Sequence, residues 1–179
     1  MIRAAQKSDG EKILEIYRPI VERTVISFET KVPTLSEMEN RIETISTKCP
    51  YLVFEKDGDI LGYSYASQHR ARDAYRWSVD ATIYVSEKNR GQKTGEKLYR
   101  KLFKILKDLG YFNVYAGITL PNDASVGIHE KFGFSKIAHY NRVGYKIGAW
   151  HDVGWWELVL SNDRKKPFEP IPFSSYLNK

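Results

Sequence analysis

Two rhythms of apolar residues run along this chain. Ile13, Leu14, Ile16, Tyr17, Ile20 and Val21 recur at three- and four-residue spacing, which predicts an amphipathic helix. Ser8-Asp-Gly-Glu11 in front of them has the spacing of a capping box. Thr34-Leu-Ser-Glu37 repeats it before a second helix, predicted to run to about Thr47 and to bury Leu35, Met38, Ile42 and Ile45; Pro50 prevents its continuation. From Gly95 to Leu109 a third helix puts Leu98, Leu102, Ile105, Leu106 and Leu109 on one stripe. Its lysines and Arg100 lie largely elsewhere, and Gly110 stops it. A short fourth helix is expected over Ser125–Lys131.

Alternation by twos marks the strands. Ile2–Ala4 is a short one. Tyr51–Glu55 and Ile60–Ser67 flank Lys56-Asp-Gly-Asp59, a tight-hairpin signal. In the next strand Trp77, Val79, Ala81, Ile83 and Val85 alternate with Ser78, Asp80, Thr82 and Tyr84. A carboxylate, a hydroxyl and a phenol on one face point to a lined cleft. Strands are also expected over Asn113–Thr119, Phe134–Val143 and Asp152–Leu160, the last two joined by a glycine- and aromatic-rich connection. After Ser161 there are three prolines and no periodicity. The reading is one domain over 1–160 and a tail, 161–179, of uncertain order. The element order β-α-α-β-β-β-α-β-α-β-β implies a mixed α/β domain. No G-x-G-x-x-G follows the first strand, which argues against a dinucleotide fold.

Composition narrows the function classes. A chain of 179 residues suffices for one domain with a sizeable core. One cysteine, Cys49, leaves no internal disulfide and fits a reducing compartment. The first residues form no apolar leader, and no apolar run approaches the roughly 20 residues of a membrane span. The expected location is the cytoplasm, with no membrane partner. The net charge of +6 leaves nucleic acid, a membrane surface or a polyphosphate ligand open. Much of that charge falls between Lys88 and Lys107, on the wet face of the third helix. No nucleic-acid motif with interleaved aromatics accompanies it, and no metal-ligand spacing is present.

The sharper signal is the polar turn Asn89-Arg-Gly-Gln-Lys-Thr-Gly95, which feeds the third helix directly. A strand, a glycine turn and a helix N-terminus gather free N–H groups and a helix dipole, which suits an anion. One end of this unit is expected to hold a cofactor's phosphates and the other to do proton chemistry. Taken alone, Asp80 reads equally as a backbone cap or a partner of Arg72 or Arg76. His129 alone reads as a helix-surface histidine, and Asn122 as a turn residue.

The element order together with Arg90-Gly-Gln-Lys-Thr-Gly95, Arg72-Asp-Ala-Tyr75-Arg-Trp77, Tyr84-Val-Ser86, Leu120-Pro-Asn-Asp-Ala-Ser-Val126 with His129-Glu-Lys-Phe-Gly-Phe134, and Gly148-Ala-Trp-His-Asp-Val-Gly154 resembles the GNAT N-acetyltransferase superfamily. Closest is its phosphinothricin and methionine sulfoximine acetyltransferase branch. The resemblance implies the GNAT fold, a central mixed, mostly antiparallel sheet flanked by helices. It implies direct transfer from acetyl-CoA to the amine of a small amino-acid-like acceptor, such as phosphinothricin, methionine sulfoximine or methionine sulfone. It also implies a homodimer and no metal.

By the same resemblance, Asp80 takes the amine proton directly or through a water, and His129 either protonates the thiolate or is the base. The backbone of Ile83, Tyr84 and Val85 and the turn Arg90, Gly91, Gln92, Lys93, Thr94, Gly95 and Glu96 hold acetyl-CoA, with Asn122 and Ser125 on the pantetheine arm. Phe28, Arg72, Tyr75, Thr82 and Tyr84 form the acceptor pocket, Arg72 suiting a carboxylate or phosphinate. Trp150 is expected to be structural; His69 and His139 receive no role. Two positions depart from the branch. Lys93 replaces the turn's first glycine; a lysine fits there if its φ is negative, and its ammonium would add charge against phosphate. Asp80 stands where a glutamate is frequent. A protein N-terminus, a lysine or a polyamine is the second reading of the acceptor. A non-catalytic anion-binding module is the third reading.

Overall fold

The computed structural model describes residues 1–162 and 167–177. Its elements in chain order are β1 (Ile2–Ala4), α1 (Gly10–Arg23), α2 (Leu35–Lys48), β2 (Tyr51–Lys56), β3 (Asp59–Gln68), β4 (Ser78–Val85), α3 (Thr94–Asp108), β5 (Asn113–Leu120), α4 (Asp123–Lys131), β6 (Ser135–Lys146), β7 (Ala149–Val159) and α5 (Phe173–Tyr176). Seven strands make one sheet in the order β1-β2-β3-β4-β5-β7-β6. Every pair is antiparallel except β4 with β5. Up to β7, the element order is the one predicted.

Each face of the sheet has its own core. On one face Tyr51, Val53, Ile60 and Tyr63 meet Ile13, Ile16, Tyr17 and Ile20 of α1 and Met38 and Ile42 of α2. On the other, Val79, Ala81, Val114, Ala116 and Ile118 meet Leu98, Tyr99, Leu102 and Leu106 of α3. The alternation of β4 thus does what its pattern required. Val79 and Ala81 go under α3, and Asp80, Thr82 and Tyr84 take the opposite face.

Local signals held with three corrections. The second capping box forms as expected: Thr34 N–H donates to Glu37 Oε2 at 2.6 Å, and Glu37 N–H donates to Thr34 Oγ1 at 3.2 Å. The first does not form at Ser8–Glu11. A 3-10 turn over Lys7–Asp9 extends the helix backward, so Gln6 and Asp9 make the reciprocal pair. Arg3 fixes the Asp9 carboxylate with bonds of 2.7 and 2.8 Å. Leu35, expected in the core, is 42% exposed because it occupies the first turn of α2, at the rim. The expected connection between the last two strands is a two-residue turn, Ile147-Gly148, with both φ values positive. The strands therefore run to Lys146 and start again at Ala149 as one long hairpin.

Part of the tail is ordered against the domain. Phe173 is fully buried in the α3-side core. Ile171 N–H donates to the Leu109 carbonyl at 2.9 Å, and Trp77 Nε1–H to the Phe168 carbonyl at 2.8 Å. Residues 163–166 and 178–179 of the tail lie outside the described residues. Among the described residues, no helix is long and apolar enough to cross a membrane.

Candidate active site

The site arises where the sheet comes apart. Strands β4 and β5 pair only through Ser78–Asp80 with Asn113–Tyr115. Beyond that point both continue, β4 to Val85 and β5 to Leu120, without a ladder between them. Parallel neighbours that diverge leave backbone N–H and C=O groups facing a gap. A slot of about 80 Å³ opens there, lined by Thr82, Ile83, Tyr84, Tyr99, Asn122, Ser125 and His129. At one end of the slot the uncovered sheet face forms a cleft of about 510 Å³. Asp80, Thr82, Ser67, Thr119, Phe28, Tyr140 and Trp155 are among its walls. Slot and cleft share Ile26, Ala81, Thr82, Gly117 and Thr119.

The cleft is closed at one side by a contact between distant segments. Lys146, buried at the tip of the β6–β7 hairpin, donates from Nζ to the Ser27 carbonyl at 2.6 Å. The Phe28 ring lies on the backbone of Gly144, where a Cβ would sit 2.1 Å from a ring carbon. Only glycine permits that approach. Glu29 is held by Arg41 of α2 through bonds of 2.6 and 3.1 Å.

Asp80 is the carboxylate of the cleft, and its partner is neither Arg72 nor Arg76. His69 Nδ1 lies 2.6 Å from Asp80 Oδ1. Burial pushes the Asp80 carboxyl above the ordinary carboxylate range, opposed by the His69 hydrogen bond. Sequence reasoning left His69 without a role. No local signal marks it, because the pairing follows from register: Ser67 stands opposite Asp80 in the β3–β4 ladder. His69, two residues on, is therefore a diagonal neighbour of Asp80 on the same face.

His129 is not a surface residue. It is 3% exposed, accepts the Tyr99 hydroxyl at Nε2 (2.8 Å), and donates from Nδ1 to the Ser125 carbonyl (2.7 Å). Burial pulls its pKa below the ordinary imidazole value. Both ring nitrogens are hydrogen-bonded within the protein, and His129 and Tyr99 both line the slot.

The remaining expected residues divide by position. Ile83, Tyr84, Asn122 and Ser125 line the slot. Asn122 caps α4 by accepting Ser125 N–H at 3.1 Å. Val85 ends β4, and Arg90, Gly91, Gln92 and Lys93 form an exposed turn into α3. Thr94 and Gly95 are buried, and Glu96 pairs with Lys131 at 2.7 Å. Lys93 does not meet the condition of a negative φ. It sits at φ 60°, ψ 16°, the left-handed conformation the missing glycine would supply. Phe28 and Thr82 line the cleft, while Tyr84 packs on Tyr17 and Tyr63 with centroids 5.2 and 5.5 Å away. Tyr75 touches the site only through His69, ring edge to ring at 6.2 Å. Arg72, the residue before the 3-10 turn Asp73–Tyr75, is exposed and outside the cleft lining. Trp150, expected to be structural, is 61% exposed on the hairpin.

A larger cavity of about 760 Å³ lies between α1 and Ser86–Lys88. Its charged walls are of both signs, Glu11, Glu15, Asp59 and Glu87 with Lys12 and Lys88.

A split parallel pair opening into a carboxylate-bearing cleft is a specific arrangement, and comparison with known proteins names it. The model of the acetyltransferase (GNAT) domain matches residues 2–155. The chain belongs to the GNAT acetyltransferase family. This acetyltransferase is 36% identical over 171 residues to a phosphinothricin N-acetyltransferase of Streptomyces viridochromogenes, covering 96% of this chain and 91% of the relative. It is 31% identical over 163 residues to an L-methionine sulfoximine/L-methionine sulfone acetyltransferase of Salmonella typhimurium, covering 89% and 94%. A GNAT superfamily phosphinothricin acetyltransferase from Sinorhizobium meliloti, solved in complex with AcCoA, superposes with a TM-score of 0.91 at 32% identity, covering 97% of this chain and 96% of that one.

Proposed function

We propose that this acetyltransferase moves the acetyl group of acetyl-CoA directly onto the amine of a small amino-acid-like acceptor of the phosphinothricin, methionine sulfoximine or methionine sulfone kind. One observation carries the reading: the slot and the Asp80 cleft share walls at Ile26, Ala81, Thr82, Gly117 and Thr119. A thioester arm lying in the slot presents its carbonyl to the cleft that holds the carboxylate.

Each residue then has a task. Along Ile83, Tyr84 and Val85, β4 is paired to β3 on one side, and its other edge, which β5 leaves open, offers a pantetheine arm the hydrogen bonds of one more strand. The turn Arg90–Lys93 and the N-terminus of α3 suit a pyrophosphate, with Arg90 and Lys93 adding charge. Asn122 and Ser125 border the arm from the start of α4. Phe28, Tyr140, Val143 and Trp155 wall an apolar stem, while Asp80, Thr82 and Thr119 address polar ends. Asp80 takes one proton from the acceptor ammonium, directly or through a water. The amine lone pair forms the C–N bond at the thioester carbonyl carbon. The tetrahedral centre collapses, the C–S bond breaks, and sulfur leaves with its electron pair. The nitrogen's second proton is lost on collapse and balances the thiolate as a thiol.

A homodimer in the cytoplasm completes the reading. Its support is the edge strand β6 with its hairpin partner, where Ile137, Val143, Tyr145, Ile147 and Trp150 are all exposed. Sedimentation velocity at micromolar concentration checks the dimer.

The test of function is thiol release from acetyl-CoA against a panel of amines. Phosphinothricin and methionine sulfoximine should turn over; peptide N-termini, lysine and polyamines should not. Asp80→Asn should lower turnover by roughly 10²–10⁴-fold, with part of the loss recovered at high pH, where free amine is available without a base. A preference for peptide N-termini would move the acceptor to the second reading. Failure of acetyl-CoA to raise the melting temperature of the folded protein would remove the enzyme reading altogether.

A further inference from the structure

We propose that His69 is a positioning residue for acetyl transfer: its Nδ1–H clamps Oδ1 of Asp80 and leaves Oδ2 of the cleft carboxylate for the acceptor's amine. The proposal rests on the reading of Asp80 as the group that serves that amine.

The geometry is that of a built pair. The Nδ1–Oδ1 separation is 2.6 Å, at the short end for a charge-assisted bond. The His69 side chain is 12% exposed and that of Asp80 29%, so the imidazole stands behind the carboxylate. The ring is stacked on Tyr115 at 4.4 Å and met on edge by Tyr75 at 6.2 Å and Trp155 at 6.1 Å. Tyr115 is itself fixed, donating its hydroxyl to Glu157 at 2.9 Å and accepting from Asn113 at 3.1 Å. An imidazole wedged among three aromatic rings has no room to swing, so the carboxylate it holds keeps one rotamer. Oδ2 of Asp80 makes no hydrogen bond among the described residues, and Asp80 lines the cleft.

The chemistry needs this clamp. A carboxylate taken out of water prefers to be protonated, and a protonated Asp80 accepts nothing from an ammonium. A fixed N–H donor stabilises the ionised form. The other groups that face the pair are Arg70 from the same loop, Tyr65 on β3, Tyr75 on the 3-10 turn, and Tyr115 on β5 with Glu157 behind it on β7. Arg70 is the one cation in this set; it also favours the ionised carboxylate but makes no hydrogen bond to it. His69 keeps its Nδ1 proton throughout. The proton that moves is the acceptor's, onto Oδ2 or a water bound there.

The experiment uses two substitutions and two readouts. His69→Phe keeps a flat ring on Tyr115 and removes the donor. His69→Asn returns an N–H near the place of Nδ1 without the ring. The first readout is the pH profile of kcat/KM. The second is the carboxyl titration of Asp80 in the free protein by carbon-detected NMR, its signal assigned with Asp80→Asn. In His69→Phe the acidic limb and the NMR midpoint should both move up by about one pH unit, and kcat should fall roughly tenfold with KM little changed. His69→Asn should bring both midpoints back toward wild type. An unmoved NMR midpoint in folded His69→Phe overturns the proposal, because a packing role alone would leave it in place. Should that variant not fold, His69→Leu carries the same test. If the midpoint moves but Asp80→Asn acetylates at the wild-type rate, the failure lies in Asp80 as the amine's partner, and the role of His69 in the transfer falls with it.

Discussion

Tyr99 donates its hydroxyl to His129 Nε2 at 2.8 Å, beneath the slot between β4 and β5. With Nδ1 committed to the Ser125 carbonyl, the neutral imidazole is the Nδ1–H tautomer. Burial depresses the folded-state pKa of His129 below its ordinary value of 6.5. The unfolded chain therefore takes up a proton at His129 before the native state does. Stability at this site is full above pH 6.5 and is lost as pH falls from there toward the depressed value.

His129→Gln offers polar partners but no titration. Its stability relative to wild type should rise as pH is lowered below 6.5, by at most about 1.4 kcal/mol per pH unit. Urea unfolding at several pH values measures it. Parallel curves for the two proteins would mean that His129 is protonated in the native state.

Lys93 holds a left-handed conformation at the N-cap of α3. A non-glycine residue there carries about 1–2 kcal/mol of strain, part of which returns to a glycine as unfolded-state entropy. Lys93→Gly should therefore stabilise the protein by about 0.5–1 kcal/mol. The same change removes a charge from the turn, so acetyl-CoA should bind modestly more weakly, and the difference should shrink at high salt. Thermal melts and calorimetry separate the two effects. Tighter binding would show that the side chain crowds the phosphates.

Arg70 and Arg72 occupy one loop but different surroundings. Both are exposed and outside the cleft lining, but the Arg70 guanidinium lies 6.0 Å from the centre of the ring of Trp155, a cleft wall, and adds to the field at Asp80. Arg70→Ala should raise KM for an acidic zwitterion by about tenfold and affect an amine without the acid much less. Arg72→Ala should change either by less than about twofold. A larger, acid-selective loss at Arg72 would mean that the loop closes over the acceptor.

Phe173 fills the core from the far end of the chain, with no exposed surface. Phe173→Ala should cost about 3–5 kcal/mol of stability, read by denaturant unfolding. A cost below about 1 kcal/mol would place the tail outside the cooperative unit.

The sequence by itself determined the elements and their order. Helical stripes, the Thr34–Glu37 box, the Asp57-Gly58 turn and the alternation of β4 are local signals, because each depends on residues within a few positions of one another. They also sufficed to put Asp80 and Thr82 on one face and to mark the turn before α3. Only the tertiary structure decided which distant groups meet. His69 reaches Asp80 because the β3–β4 register sets Ser67 opposite it, and register is not written in either strand alone. Lys146 reaches Ser27 across 119 positions of chain. His129 changed from an apparent surface residue to a buried one because α4 lies against Tyr99 of α3. Arg72, just before a 3-10 turn, is exposed and not among the cleft walls. Phe173 lies in a stretch without periodicity, where one aromatic gives no sign that a hole in the core awaits it. Burial and pairing of this kind depend on the path of the whole chain, so local pattern fixes the parts and packing fixes the site.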